Sequence, residues 1–283
     1  MLPSTTCPTP ADISVWNDEF QDADAEEVLR WAAARWGRWL VLTCSFGGPA
    51  GMVLLDMLMR VAPTTDVIYI DTGLLFPETY RLIEQVRQRY GITPRAVHPR
   101  LTLEQQAAQH GPELWRRDPD SCCRLRKVQP LAEALAPYDA WITGLRRSDA
   151  ATRAQAQRFQ WSAKYSLVKI NPLVTWSDRD VWRYIHAHQV PYNPLLDQGY
   201  RSLGCRPCTR PGSRRDGPAR AAPRPATRRW SIYRHPTGRS AKWSSPMDSC
   251  VLLLCAWYSL ILTQQHFHHF AARKLRRRDL AAL

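Results

Sequence analysis

Residues 39–58 read WLVLTCSFGGPAGMVLLDML. Trp39 to Ser45 is a short, nearly unbroken apolar run, the pattern of a strand buried on both faces. Gly47-Gly-Pro-Ala-Gly51 breaks it, and the apolar spacing from Met52 to Val61 suits a helix. Strand, glycine-rich turn and helix in that order make the opening unit of an α/β protein.

The pattern continues outward. Asp66 to Asp71 (DVIYID) predicts a second strand, Thr72-Gly73 a turn, and Pro77 to Tyr90 a helix with an early proline and Gly91 as its stop. Arg95 to His98 reads as a third strand. Thr102 to His110 and Cys122 to Ala136 read as helices, the second interrupted near Pro130, and Ala140 to Gly144 supplies a fourth strand. Val168 to Asn171 reads as a fifth, and Ser177 with Asp180 three residues on forms an N-terminal cap before VWRYIHAH. Such alternation predicts an α/β fold with a doubly wound, mostly parallel sheet and helices on both faces. Ligands of such sheets bind in the crevice at the carboxyl ends of the strands, where both glycine-bearing turns fall.

Composition narrows the functional classes. The 283 residues carry a formal charge of +14, which invites a nucleic-acid reading. Its distribution removes the invitation: residues 1–200 hold 22 basic against 22 acidic side chains, residues 201–283 hold 17 against 3. The N-terminus lacks a basic start followed by an apolar run, so a cytoplasmic location is expected. The longest apolar run, Cys250 to Leu262, is 13 residues, short of the roughly 20 that span a bilayer, so no membrane association is expected. From about Gly212 the texture turns to Arg, Pro and Ala without apolar period. Three regions follow: a helical lead-in over 1–38, a nucleotide-binding domain over 39–211, and an irregular basic tail over 212–283.

In a reducing compartment, clustered cysteines read as metal ligands or redox groups rather than as disulfides. Cys122-Cys123 opens a predicted helix, and Cys205-Arg-Pro-Cys208 is a C-x-x-C pair beside Gly204 and Pro207. Four thiolates select an iron-sulfur cluster or zinc, and a directly adjacent pair is unusual for zinc. The bland alternative is a buried pair of small hydrophobes plus an unrelated half-site. Ser45-Phe-Gly-Gly48 and Asp71-Thr-Gly73 could bring backbone N–H groups to a phosphate, glycine leaving room for the approach, yet neither matches a dedicated phosphate-loop pattern and ordinary turns explain both equally well. Arg124, Arg126 and Lys127, and again Arg146, Arg147 and Arg153, would ordinarily read as a solvated charged face, but both groups flank this predicted crevice with charges that suit an anionic ligand. His186 and His188 stand two apart on a helix and make a poor metal pair.

Taken together, SFGGPAGMVLLDML, IDTGLLFPETY, CCRLRKVQPL, DAWITGLRRSDAATRA, KINPLVTWSDRDVW, VPYNPLLDQGYRSLGC and RPCTRP closely resemble the thioredoxin-dependent, iron-sulfur adenylyl-sulfate reductases of the phosphoadenylyl-sulfate reductase family. These are relatives of the ATP-pyrophosphatase fold, of the adenine nucleotide alpha-hydrolase type. The resemblance implies reduction of adenylyl sulfate to sulfite and AMP in sulfate assimilation, with thioredoxin as electron donor. It implies a [4Fe-4S] cluster on Cys122, Cys123, Cys205 and Cys208. It lays the nucleotide across Ser45, Phe46, Gly47, Gly48, Asp71, Thr72 and Gly73, with Lys127 and Arg153 near the phosphosulfate. The four-cysteine set favours adenylyl sulfate over the 3'-phosphorylated substrate of the cluster-free branch. A homo-oligomer is compatible with it, and no specific nucleic acid is expected.

One family feature is missing. The attacking cysteine of the family stands in a Glu-Cys-Gly-Leu-His motif near the C-terminus, and this sequence has none. Cys250 and Cys255 lie in the apolar SCVLLLCAWYSL, a setting that raises a thiol pKa and makes both poor nucleophiles. Lost resemblance, lost periodicity and the onset of Arg/Pro/Ala bias coincide just after Thr209-Arg-Pro211, the signature of a shifted reading frame. A noncatalytic nucleotide or iron-sulfur binding remnant is the alternative.

Overall fold

A computed structural model describes residues 8–212. Cys250, Cys255 and nearly all of the basic tail lie outside these described residues. Two capped helices come first: α1 (Pro10–Glu19), with a Thr9/Asp12 capping box, and α2 (Ala25–Trp36), with an Asp24/Glu27 box.

The sheet begins at β1 (Leu40–Thr43), and α3 (Pro49–Val61) follows it. The predicted helix thus starts three residues earlier than its apolar period, because Pro49 supplies a preset φ and lacks the N–H that a first helical turn cannot use. Then come β2 (Asp66–Ile70), α4 (Pro77–Tyr90), stopped by Gly91 at φ 65°, and β3 (Arg95–Val97). Helices α5 (Leu103–His110), α6 (Leu114–Arg117) and α7 (Pro119–Cys123) lead into a π-helical turn, Arg124–Val128, and α8 (Gln129–Leu135). The expected interruption near Pro130 is therefore this π turn just ahead of it. Proline donates no hydrogen bond and sits at the start of α8, so the wider turn absorbs the break without ending the helix. Strand β4 (Ala140–Ile142), β5 (Phe159–Ser162), β6 (Leu167–Ile170) and α9 (Asp178–His188) complete the described chain, α9 opened by the expected Ser177/Asp180 box.

The six strands lie in the order β3-β2-β1-β4-β6-β5. All neighbours are parallel except β5, an edge strand antiparallel to β6 that the sequence reading did not include. Its segment, FQWS, is four residues long and carries only a weak alternation of its own.

Each face of the sheet buries a separate core. Leu40, Leu42, Ala140, Ile142, Val168 and Ile170 face α3 and α9, whereas Val41, Ile68 and Leu167 face Ala134, Leu135 and Tyr138 at the end of α8. Across α3, the buried carboxylate of Asp56 accepts hydrogen bonds from Tyr90 (2.8 Å) and Tyr184 (2.9 Å) and pairs with Arg60 (3.1 Å). That one group ties α3 to α4 and α9 and leaves no buried oxygen without a partner. His186 stacks on Trp182 and His188 accepts from Arg60, so both histidines are used structurally.

Candidate functional site

The order of strands reverses between β1 and β4, and a doubly wound sheet opens its ligand crevice at such a point. The loop after β4 lies close against the first turn of α3: a Cβ on Gly144 would stand 3.3 Å from the Gly51 nitrogen and 3.4 Å from the carbonyl carbon of Ala50. Both glycine-bearing loops, 44–48 after β1 and 71–76 after β2, open at this edge.

One segment crosses both loops. Leu203 N–H donates to the Gly47 carbonyl at 2.7 Å, and Arg206 N–H donates to the Leu74 carbonyl at 2.7 Å. A Cβ on Gly47 would meet the Leu203 carbonyl oxygen at 2.1 Å. The sequence reading gave this glycine to the approach of a phosphate; in the structure it makes room for the backbone that leads into the C-x-x-C pair. Gly48 has nothing within 4 Å of its added Cβ and is the position in this loop that stays open. Phe46 is buried, holds φ 53°, and packs its ring edge-on against Tyr69 at 5.5 Å, so its side chain serves the core. A non-glycine residue at positive φ is strained backbone, here fixed by that packing and by Asn193 Nδ2, which donates to the Phe46 carbonyl. Ser45 is exposed, its Oγ accepting from the Gly47 N–H at 3.4 Å.

The second loop is tied more firmly. Asp71 Oδ1 accepts from the Gly73 N–H (2.9 Å) and from Tyr80 Oη (2.8 Å). Thr72 is buried, with its Oγ1 3.3 Å from Cys205 Sγ, and its carbonyl accepts from Arg126 Nε at 2.7 Å. Arg126 also donates to the Leu101 carbonyl and to Gln106 Oε1. Arg126 is therefore a buried clamp for the loop rather than a crevice charge, a correction to its reading as part of an anion-binding group. Arg146 and Arg147 are corrected likewise. Arg146, 8% exposed at its side chain, pairs with Asp149 (2.8 Å) and Asp178 (2.6 Å), and Arg147 Nε donates to the Ala156 carbonyl. Arg153 stands at 46% exposure with one partner, Asp149, at 2.9 Å.

The four predicted thiols lie within electrostatic range of one another. Cys122 at the end of α7 is buried, and burial first, then the charges of Cys123, Cys205 and Cys208, push its thiol up to about 11. Burial and Cys205 raise Cys208 as well. Lys127, one π turn beyond Cys123, reaches into the group: its Nζ lies 3.6 Å from where a Gly204 Cβ would stand. Burial works against its charge, yet Cys205 and Cys123, a hydrogen bond to Cys205, and Cys208 raise its pKa overall. Gly204 thus admits the ammonium, while Thr209 Oγ1 closes the C-x-x-C turn by accepting from the Gly204 N–H and donating to the Cys205 carbonyl. Among the described residues no group of three or more His, Cys, Asp or Glu side chains is gathered closely enough to hold a metal ion.

A second cation was not read from the sequence. Lys169 sits in β6 directly beside Trp141 of β4, on the face that carries Val41. Its Nζ lies 5.6 Å from the Trp141 ring, and Trp141 Nε1 donates to Thr43 Oγ1 at 2.7 Å, at the carboxyl end of β1. The available signal was a lone lysine inside the otherwise apolar LVKI strand.

A mostly parallel sheet with this strand order, two loops at its carboxyl edge and helices on both faces define a doubly wound α/β protein. Comparison with known proteins narrows the class. The phosphoadenosine phosphosulfate reductase domain matches residues 39–211. The chain is 43% identical to the adenosine 5'-phosphosulfate reductase of Salinibacter ruber over 219 residues, 77% of this chain and 84% of that one. It is 47% identical to adenosine 5'-phosphosulfate reductase 1 of Bacillus subtilis over 188 residues, 66% and 80% of the two chains. Among solved structures, a phosphoadenylyl-sulfate reductase from Candida auris, in complex with phosphate, superposes with a TM-score of 0.65 at 34% identity, covering 72% of this chain and 98% of that one. The chain belongs to the phosphoadenosine phosphosulfate reductase domain family.

Proposed function

We propose that the chain binds adenylyl sulfate in the crevice at the β1/β4 switch point, for reduction to sulfite and AMP with thioredoxin as electron donor. The observation that carries this reading is the path of Leu203 to Cys208, hydrogen-bonded to both glycine-bearing loops, so that the four thiols and Lys127 border the loops that receive the nucleotide. The names of the relatives support adenylyl sulfate as the substrate.

The residues present fit a [4Fe-4S] cluster. Four cysteines form the donor set, and the Thr72 hydroxyl, Lys127 and Arg126 surround it with a donor and two positive charges that offset thiolate charge. The ligands of a cluster each bind a different iron and so stand farther apart than the ligands of one ion. Cys122, Cys123, Cys205 and Cys208 would hold it, and binding it would cross-link α7 to the C-x-x-C segment and supply a polarisable charge to the site.

In the reaction proposed, open backbone at Ser45 and Gly48 and the Asp71 to Gly73 loop receive the nucleotide, while Lys127 and Arg153 neutralise phosphosulfate oxygens. A thiolate then attacks the sulfur and AMP leaves with the electron pair of the S–O bond, forming an S-sulfocysteine. A thioredoxin dithiol releases sulfite and becomes the disulfide. Outside the cluster set, the described residues contain one further cysteine, Cys44, buried, with its thiol pushed up to about 12 by burial. The attacking thiolate must therefore come from elsewhere than the described residues. That observation favours one second reading, a chain that binds nucleotide and cluster without turnover.

Anaerobic purification, iron analysis and a visible spectrum, followed by adenylyl sulfate and mass spectrometry for a +SO3 adduct, test both. Iron with an adduct supports the reductase, and iron and nucleotide binding without an adduct support the second reading. A chain holding zinc in place of iron, or failing to bind adenylyl sulfate, refutes the proposal.

A further inference from the structure

Lys169 is a cation in a place where a cation is costly. Its neighbours along β6, Val168 and Ile170, are fully buried on the opposite face, and Leu167 on its own face is buried as well. Its Nζ stands over the Trp141 ring, 5.6 Å from the centroid, and the indole N–H reaches Thr43 at the carboxyl end of β1. The register Val41, Trp141, Lys169 sets these side chains on the α8 face, where Lys127 continues the same helical run above the sheet. Among the described residues no carboxylate pairs with Lys169. Burial, and then its charged neighbour Arg153, another cation, hold the ammonium pKa below its ordinary value. Arg153 has Asp149 to offset it; among the described residues Lys169 has the Trp141 ring and no carboxylate. A half-buried charge facing a like charge is unfavourable until an anion arrives.

We propose that Lys169, seated on Trp141, is a third cation for the anionic end of the bound nucleotide, alongside Lys127 and Arg153. The inference rests on the reading of the crevice given above, and it adds a residue to it. Adenylyl sulfate carries negative charge on both its phosphate and its sulfate oxygens. An ammonium rising from the sheet on the α8 face, beside the Trp141 ring and near Arg153, supplies a donor from the sheet, while Lys127 and Arg153 approach from the π turn and the loop after β4.

The test uses the full chain, purified anaerobically, with binding measured by calorimetry for adenylyl sulfate, pyrophosphate and adenosine. Lys169→Met keeps an unbranched stem beside Trp141 and removes the charge. It is expected to weaken adenylyl sulfate and pyrophosphate by about tenfold or more, as loss of one charge-assisted hydrogen bond does. The salt dependence should become shallower, and adenosine should bind as in the parent. Lys169→Arg should retain most of the affinity, and an unchanged unfolding temperature of the methionine variant shows that the fold is intact. Parental affinity in Lys169→Met overturns the assignment, as does an equal loss for adenosine, which marks a merely structural role. If the parent binds pyrophosphate in a Lys169-dependent way but not adenylyl sulfate, the substrate reading falls and Lys169 stands. If the parent binds neither, both fall.

Discussion

Replacing Arg146 by methionine removes the hub of a buried charge network. The side chain is 8% exposed, and its Nε and Nη2 donate to Asp149 Oδ1 at 3.1 and 2.8 Å. Nη2 also reaches Asp178 Oδ1 at 2.6 Å, but Asp178 is 81% exposed and that contact is worth under about 1 kcal/mol. Two charge-assisted hydrogen bonds in a nearly dry site contribute about 3–6 kcal/mol together. Two effects offset the loss. Asp149 keeps Arg153 at 2.9 Å and the Arg146 backbone N–H at 2.9 Å, and the variant also removes Nη1, a buried donor without a partner, which recovers about 1–3 kcal/mol. The midpoints of these ranges leave a destabilisation of about 2–3 kcal/mol, or a fall in unfolding temperature of about 4–12 °C for a domain of this size. Urea titration followed by tryptophan fluorescence measures it. Arg146→Lys should recover little, because an ammonium cannot present the two-nitrogen fork to Asp149. A methionine variant within about 0.5 kcal/mol of the parent, or full recovery by lysine, would refute the network as an energetic unit.

Two adjacent glycines should respond in opposite ways. Gly47→Ala forces a methyl group into the Leu203 carbonyl and should cost about 1–3 kcal/mol, with loss of nucleotide binding, whereas Gly48→Ala should leave the unfolding temperature within a degree or two. Cys205→Ser should remove most of the iron and visible absorbance from the anaerobically purified chain; a full iron complement in that variant would contradict the ligand set. Tyr90 and Tyr184 both donate to buried Asp56, and burial first, then that hydrogen bond, raises their phenol pKa values. A folded pKa above the unfolded value of about 10 means stability present below pH 10 and lost as pH rises through it, because only the unfolded chain then releases these protons. Unfolding free energy should therefore fall from about pH 10 upward, and Tyr90→Phe with Tyr184→Phe should flatten that slope. An unchanged slope would assign the alkaline loss to other groups.

Much of this protein is legible in its sequence because strands and helices advertise themselves locally. WLVLTCS and DVIYID are apolar runs ended by glycine, PETYRLIEQVRQRY repeats at helical spacing between a proline and a glycine, and Ser177 with Asp180 spells a cap; each signal needs only near neighbours. The adjacency of Cys122 and Cys123 and the C-x-x-C pair likewise announced four thiols. Other features depend on residues far apart in the chain. Nothing near Gly47 says that Leu203 will cross it, and nothing near Arg126 says that it will hold the Thr72 carbonyl instead of a ligand. The edge strand β5 exists because β6 offers it a ladder, not because FQWS is a strong strand former. Lys169 looks like a stray charge in LVKI until the sheet sets it beside Trp141 and within range of Arg153. The sequence by itself determined the elements and the kinds of chemical group, since those follow from local periodicity and composition. Only the tertiary structure decided which charges are spent inside the protein, such as Arg126 and Arg146, and which, such as Lys169, meet no carboxylate among the described residues, because a charge finds its partner through space rather than along the chain.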